Sequence, residues 1–392
     1  MLQISIKNKI GVILFILLCL SAITGYYTYL VSTKLAFIRI LPIAAFCFLL
    51  CLPKSKYDRS YCYTVGFFLV YTAYTVFLSI FYVEFVRLLD VLNYVLGFVI
   101  VYCSLTLIYI DAKKYLHYFF LISCLASIAL SLMAWFEYFT NFHLSASFSC
   151  LPENERTNFP CAFWANPNDF AIVLSLFFIY VLAYSKNCRK KRLWFVELLY
   201  ILFICCTLLL LRCRIAELVV GIFLIFYFRH FIKENKIIWL IFLLGGAVVM
   251  FYFWLLGTDS STNLRGNLYC YSFKSLFDSY FLGFGAGMDR HYFMSLNNYA
   301  LFHGIVNTHS FLFEMLISSG LVVFLLYVAL LTYIENKTLK ISKNEFVLLP
   351  ILYVVLLFAP SSSVDLWIHY IFFRYLLGIS IVERNCVVPI KN

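Results

Sequence analysis

Apolar runs of 18 residues or more recur along this chain from about position 10 to about position 382. Runs of that length have few stable fates. In a bilayer each crosses as a helix, because about 20 residues at 1.5 Å apiece match the hydrocarbon thickness. A helix also satisfies its own backbone where no water can. Charge agrees: only 12% of residues are Asp, Glu, Lys or Arg, about half the roughly 25% of a soluble domain. The 392 residues therefore read as one all-α integral membrane domain, 1–392.

The apolar blocks fall near 10–31, 35–52, 60–81, 91–110, 115–139, 168–185, 193–211, 215–228, 237–256, 309–334, 346–359 and 367–382. That predicts about 12 transmembrane helices. The first block has the position of a signal peptide but is too long and lacks a small-residue cleavage site, so it is expected to stay as a helix. Twelve crossings put both termini on one side. The loops on that side read KSKYDR (54–59), DAKK (111–114), KNCRKKR (186–192), RHFIKENK (229–236) and ENKTLKISKNE (335–345). Short basic loops mark the cytoplasmic face, so both termini are expected there, in a cytoplasmic membrane. The net charge of +11 is this topological bias, and a nucleic-acid partner is not expected.

Two loops on the other face are long: 140–166, and 257–308 between the ninth and tenth helices. The larger holds the aromatic stretch 264–293, which predicts folded segments on the membrane surface. Most of the 14 cysteines fall inside spans as small apolar residues. No CxxC pair or Cys/His cluster has metal-ligand spacing, so no metal and no cofactor is expected. Cys150 and Cys161 share the first long loop and form a candidate disulfide.

Charges near the membrane are the functional candidates. Arg212 and Arg214, in RCRIAELVVG (212–221), sit at an outer turn, where snorkelling to headgroups competes with binding an anion. Arginine suits phosphate because its planar fork donates two bonds at once. Arg265 opens the large loop. In FWANPNDFA (163–171), Asn168 or Asp169 would cap a helix, while Asn166 and Asn168 together would suit sugar hydroxyls. GFGAG (283–287) lacks the Lys-Ser/Thr of a P-loop and reads as a tight turn rather than a phosphate cradle. NTHSFLFEMLISSG (307–320) places His309, a candidate base, at the mouth of a span. Glu314 lies five residues on, about 140° around a helix, and reads as supporting. The SSG triplet reads as a close-packing patch.

These stretches, in this order and around a large loop, resemble the O-antigen ligase and O-antigen polymerase superfamily of bacterial membrane glycosyltransferases. The resemblance covers about 155–335 and is nearest the teichuronic-acid and capsule polymerases. It implies transfer of a polyprenyl-diphosphate-linked glycan to an acceptor hydroxyl on the outer face of the cytoplasmic membrane, with inversion and without metal. It assigns the base to His309 and diphosphate binding to Arg214 and Arg265, with Arg212 sharing that role or standing in the register of Arg214. Asn166, Asn168 and Glu314 are the supporting or acceptor-binding candidates. A second acidic residue that relatives often carry is replaced by Ser318. Polymerisation of surface polysaccharide repeat units is the first expectation. Ligation of finished glycan to lipid A-core or another terminal acceptor is the alternative, and a transporter or flippase a weaker third. Expected partners are the lipid-linked donor, the acceptor and membrane lipid, with a flippase and a chain-length regulator as further candidates.

Overall fold

A computed structural model describes residues 2–24, 37–50, 59–82, 88–143, 160–164, 167–188, 194–229, 260–296, 308, 310–341, 352 and 355–356. Among these residues the chain is all-helical. The helices are α1 (Leu2–Thr24), α2 (Phe37–Leu50), α3 (Arg59–Phe81), α4 (Leu88–Ile110), α5 (Ala112–Thr140), α6 (Pro167–Cys188), α7 (Trp194–Leu211), α8 (Arg214–Tyr227), α9 (Ser260–Asp278), α10 (Met288–Ser295) and α11 (Phe311–Ile341). Six are long and apolar enough to cross a membrane: those over Arg59–Phe81, Leu88–Ile110, Lys114–Thr140, Pro167–Lys186, Trp194–Leu211 and Phe311–Lys337. The expected spans at 237–256 and 367–382, and most of 346–359, lie outside the described residues. So does Cys150. The expected span at 215–228 is a helix of 14 residues, about 21 Å long at 1.5 Å per residue, shorter than the hydrocarbon core.

Local chemistry explains several boundaries. Asp111 caps α5 by accepting the Lys114 amide at 3.2 Å. Asn141 closes it in the left-handed region, φ 55, its amide reaching the Glu137 carbonyl. Pro167 opens α6, where its missing N–H costs nothing. Only Arg212 and Cys213 join α7 to α8, and Arg212 takes φ 52 to reverse the chain.

α6 sits at the centre. Every residue from Asp169 to Ser185 is buried, as expected of a helix that is apolar on all sides. It packs against α5, α7 and α8, while α3 packs against α4 and α11. The stretch expected as a large loop is folded over 260–296: α9 and α10 both pack on α11. Leu268, Phe293 and Ile317 form their shared core, and Tyr269 stacks on Phe313 with ring centroids 4.4 Å apart.

The sharpest departure from the sequence reading lies in α11. The run from Phe311 reads as one unbroken span, but the helix kinks at Gly320, φ 73 and ψ −174. Into that kink comes the GFGAG segment. Phe284 N–H donates to the Ile317 carbonyl, Gly285 N–H to the Ser318 carbonyl, and Leu321 N–H to the Phe281 carbonyl, at 2.9, 2.9 and 3.0 Å. The Ala286 amide donates to Ser79 Oγ on α3 at 2.9 Å. SSG is thus a close-packing patch, but its partner is a loop rather than a helix.

Candidate functional site

The two arginines of RCRIAELVVG occupy different settings. Arg212 is exposed in the left-handed turn. Arg214 is half-buried as the first residue of α8, beside the orphan N–H groups of a helix start, where anions are favoured. It lies in electrostatic reach of Glu217, one turn on. Between the arginines, Cys213 is 3% exposed. Burial pushes its thiol up to about 11, while the Ala216 amide and the Arg265 guanidinium hold it down and Glu217 and Asp169 push further. One buried sulfur thus feels groups on three helices: α8 through Ala216 and Glu217, α9 through Arg265, and α6 through Asp169. Arg265 is half-buried and also acts on Tyr269, whose phenol burial raises and the guanidinium lowers.

The start of α6 is held from α5. Glu137, fully buried, accepts the Cys161 and Ala162 amides at 2.7 and 3.0 Å and lies 3.6 Å from His143 Nδ1. That tethers the 160–164 turn, whose last two residues open FWANPNDFA. Asn168 is the half-buried second residue of α6, and Asp169 is 4% exposed. Asn166 lies outside the described residues.

Glu314 belongs to a second group. It is 3% exposed on α11, and its amide donates to the Ser310 carbonyl at 2.9 Å. Its carboxylate acts on the phenol of Tyr71 on α3, which also faces Tyr94, Ser318 and the buried Asp289 of α10. Tyr71 and Tyr94 meet edge to face at 5.6 Å. Thr308 and Ser310 flank position 309 and are both buried. His309 lies outside the described residues.

Tyr71, Asp289, Asp169 and Cys213 were not singled out from the sequence as site residues. A signal existed for Tyr71: Thr64, Tyr71, Thr75 and Ser79 recur at spacings of seven, four and four, one polar stripe on an apolar helix, and all four are buried. Nothing comparable marked Cys213.

GFGAG is no phosphate cradle. A cradle needs outward N–H groups, and those of residues 283 to 286 go to Ser279 Oγ, the Ile317 and Ser318 carbonyls and Ser79 Oγ. Among the described residues no group of three His, Cys, Asp or Glu is arranged to hold a metal ion.

Residues 199–328, from α7 through the Gly320 kink, match the family described as O-antigen ligase. The superfamily resemblance holds over that region. It encloses Arg212, Arg214, Arg265, His309 and Glu314 but not Asn166 or Asn168. The chain is also 23% identical over 328 residues to the Teichuronic acid biosynthesis protein TuaE of Bacillus subtilis (strain 168), covering 74% of this chain and 66% of that protein's length. No solved structure matches. Together with six helices fit to cross a membrane, these likenesses support, at family level, a membrane protein of polysaccharide ligase or polymerase type.

Proposed function

We propose that this protein is a glycosyltransferase that polymerises polysaccharide repeat units carried on a polyprenyl diphosphate, on the outer face of the cytoplasmic membrane. The supporting observation is that Arg265 lies within electrostatic reach of the α7–α8 turn. A residue fifty positions downstream acts on Cys213, next to Arg214. Two guanidiniums from separate helices, one at a helix start, suit the two phosphates of such a carrier.

The chemistry needs little else. A diphosphate leaves readily if its growing charge is met, which is the work of Arg214 and Arg265. The acceptor hydroxyl must lose a proton, and His309 is the proposed base. Direct displacement inverts the anomeric centre and calls on no metal. Glu314, buried against Tyr71, is assigned to hold the acceptor side, with Asn166 and Asn168 binding sugar hydroxyls. Arg212, exposed and in a strained turn, is assigned no direct role.

The test is reconstitution. Purified protein in vesicles receives a polyprenyl-diphosphate repeat unit with no other acceptor, and the products run on a gel. A ladder supports the proposal. Transfer only after a terminal lipid acceptor is added replaces polymerase by ligase. Movement of intact substrate across the bilayer with no new glycosidic bond refutes a transferase.

A further inference from the structure

At the opposite end of α6 from Asn168 and Asp169, a cavity of about 200 Å³ opens between α7 and α8. Trp194, Phe195, Leu198 and Phe228 give it apolar walls, with Glu197 and Tyr227 on its polar side. The polar side is built, not incidental. Ser185 Oγ donates to Glu197 Oε1 at 2.6 Å and Tyr227 O–H donates to Oε2 at 3.1 Å. The Lys186 ammonium donates to the Tyr227 carbonyl at 2.5 Å and lies 4.5 Å from the centre of its ring. This chain of bonds fixes a cation at the rim. Arg229 follows the lining residue Phe228 and holds its guanidinium 4.1 Å from the centre of the Phe226 ring.

The walls look outward. Trp194, Phe195 and Leu198 are 60%, 72% and 49% exposed, on a helix apolar enough to cross a membrane. On a helix long and apolar enough to span a bilayer, exposed walls of this kind suit lipid chains. The neighbouring sequence says which lipid. The segment from Lys186 into α7 reads KNCRKKR, five cations in seven residues, then Leu193 and Trp194. Basic clusters of this size beside a span attract anionic headgroups, and tryptophan prefers the headgroup level. The charge is opposite to that of a phospholipid phosphate, and Lys186 bonds to Tyr227, which lines the apolar cavity.

We propose that the α7–α8 cavity holds part of an acyl chain of an anionic phospholipid whose phosphate sits at Lys186 and Arg229. Glu197 is a positioning residue there: through Tyr227 it sets where the Lys186 ammonium stands. The site is independent of the transferase reading, since it lies at the other end of α6 from the arginine cluster.

The experiment uses the full chain in phosphatidylcholine vesicles doped with acyl-brominated phosphatidylglycerol or, separately, acyl-brominated phosphatidylcholine. Bromine quenches tryptophan on contact, and subtracting Trp194→Phe isolates the Trp194 signal from the chain's six tryptophans. The expected result is stronger quenching of Trp194 by the anionic lipid. Lys186→Gln, which retains a donor for the Tyr227 carbonyl, should cut that preference about fivefold, the scale of one headgroup-engaged cation. Arg229→Gln, two residues past α8, should do the same and does not disturb the bonds around Glu197. Equal quenching by both lipids overturns the proposal, as does quenching by neither. An anionic preference that survives both substitutions overturns it too.

Discussion

Gly320→Ala should loosen α11 from the loop that kinks it. A methyl group there would stand 2.3 Å from the Phe281 carbonyl oxygen and 2.4 Å from the Leu282 carbonyl carbon, both backbone atoms that cannot swing aside. The conformation itself, φ 73 with ψ −174, belongs to a region that only glycine enters readily, at a cost of about 2 kcal/mol for other residues. Relieving the clash means withdrawing the loop, which opens the bonds from Phe284, Gly285 and Leu321, each worth about 1 kcal/mol. Opening all three as well would bring the loss to about 5 kcal/mol, a large part of a domain's stability. Hydrogen exchange in detergent reads this directly: the amides of 284, 285 and 321 should exchange faster in the variant, with a lower unfolding temperature. Activity should fall with them, since the same loop leads into α10 and sets Asp289 opposite Tyr71 and Glu314. Unchanged exchange at those amides together with an unchanged melt would refute the reasoning.

Arg212→Gly should keep transferase activity within about twofold and gain about 1 kcal/mol, because glycine adopts the left-handed turn without penalty; a melt and a rate decide it. Glu137→Leu should destabilise by about 2 kcal/mol or more, since two buried amides lose their acceptor; thermal unfolding measures it. Cys213 makes a pH prediction. Its folded value is raised from 9 to about 11, so its contribution to stability is full below pH 9 and is lost as pH rises through about 11. The melting difference between wild type and Cys213→Ala should shift against wild type across that window. Arg265→Gln, which removes a cation holding the thiol down, should extend the window upward.

The membrane architecture was legible because its signal is one-dimensional. An apolar run long enough to span needs no knowledge of its neighbours, and the bounds of α3, α4 and α7 fall within a few residues of expectation. The central place of α6 was half legible: an all-round apolar helix must be buried, but its partners α5, α7 and α8 follow only from packing. Gly320 was not legible as a kink. LISSGLVV continues an apolar run, and the break is imposed by residues 281–286, almost forty positions away. The settings of Arg212 and Arg214 became distinct for a similar reason: the sequence offers two arginines in one motif, and the backbone puts one in a left-handed turn and the other at a helix start. Glu314 was read by its angle from His309 on an assumed helix. With α11 starting at Phe311, that angle does not apply, and Tyr71 is the neighbour that defines Glu314. Tyr71 itself was hidden in an apolar span, its polar stripe spread over four turns.

The central claim is that Arg214 and Arg265 bind the diphosphate while His309 takes the acceptor proton. Steady-state kinetics of the reconstituted protein on a polyprenyl-diphosphate repeat unit test it most directly. His309→Ala should lower kcat by about a hundredfold or more, the scale of a lost general base, with KM little changed. Arg214→Gln and Arg265→Gln should each raise KM and lower kcat/KM. Full turnover by well-folded His309→Ala and Arg214→Gln proteins would contradict it.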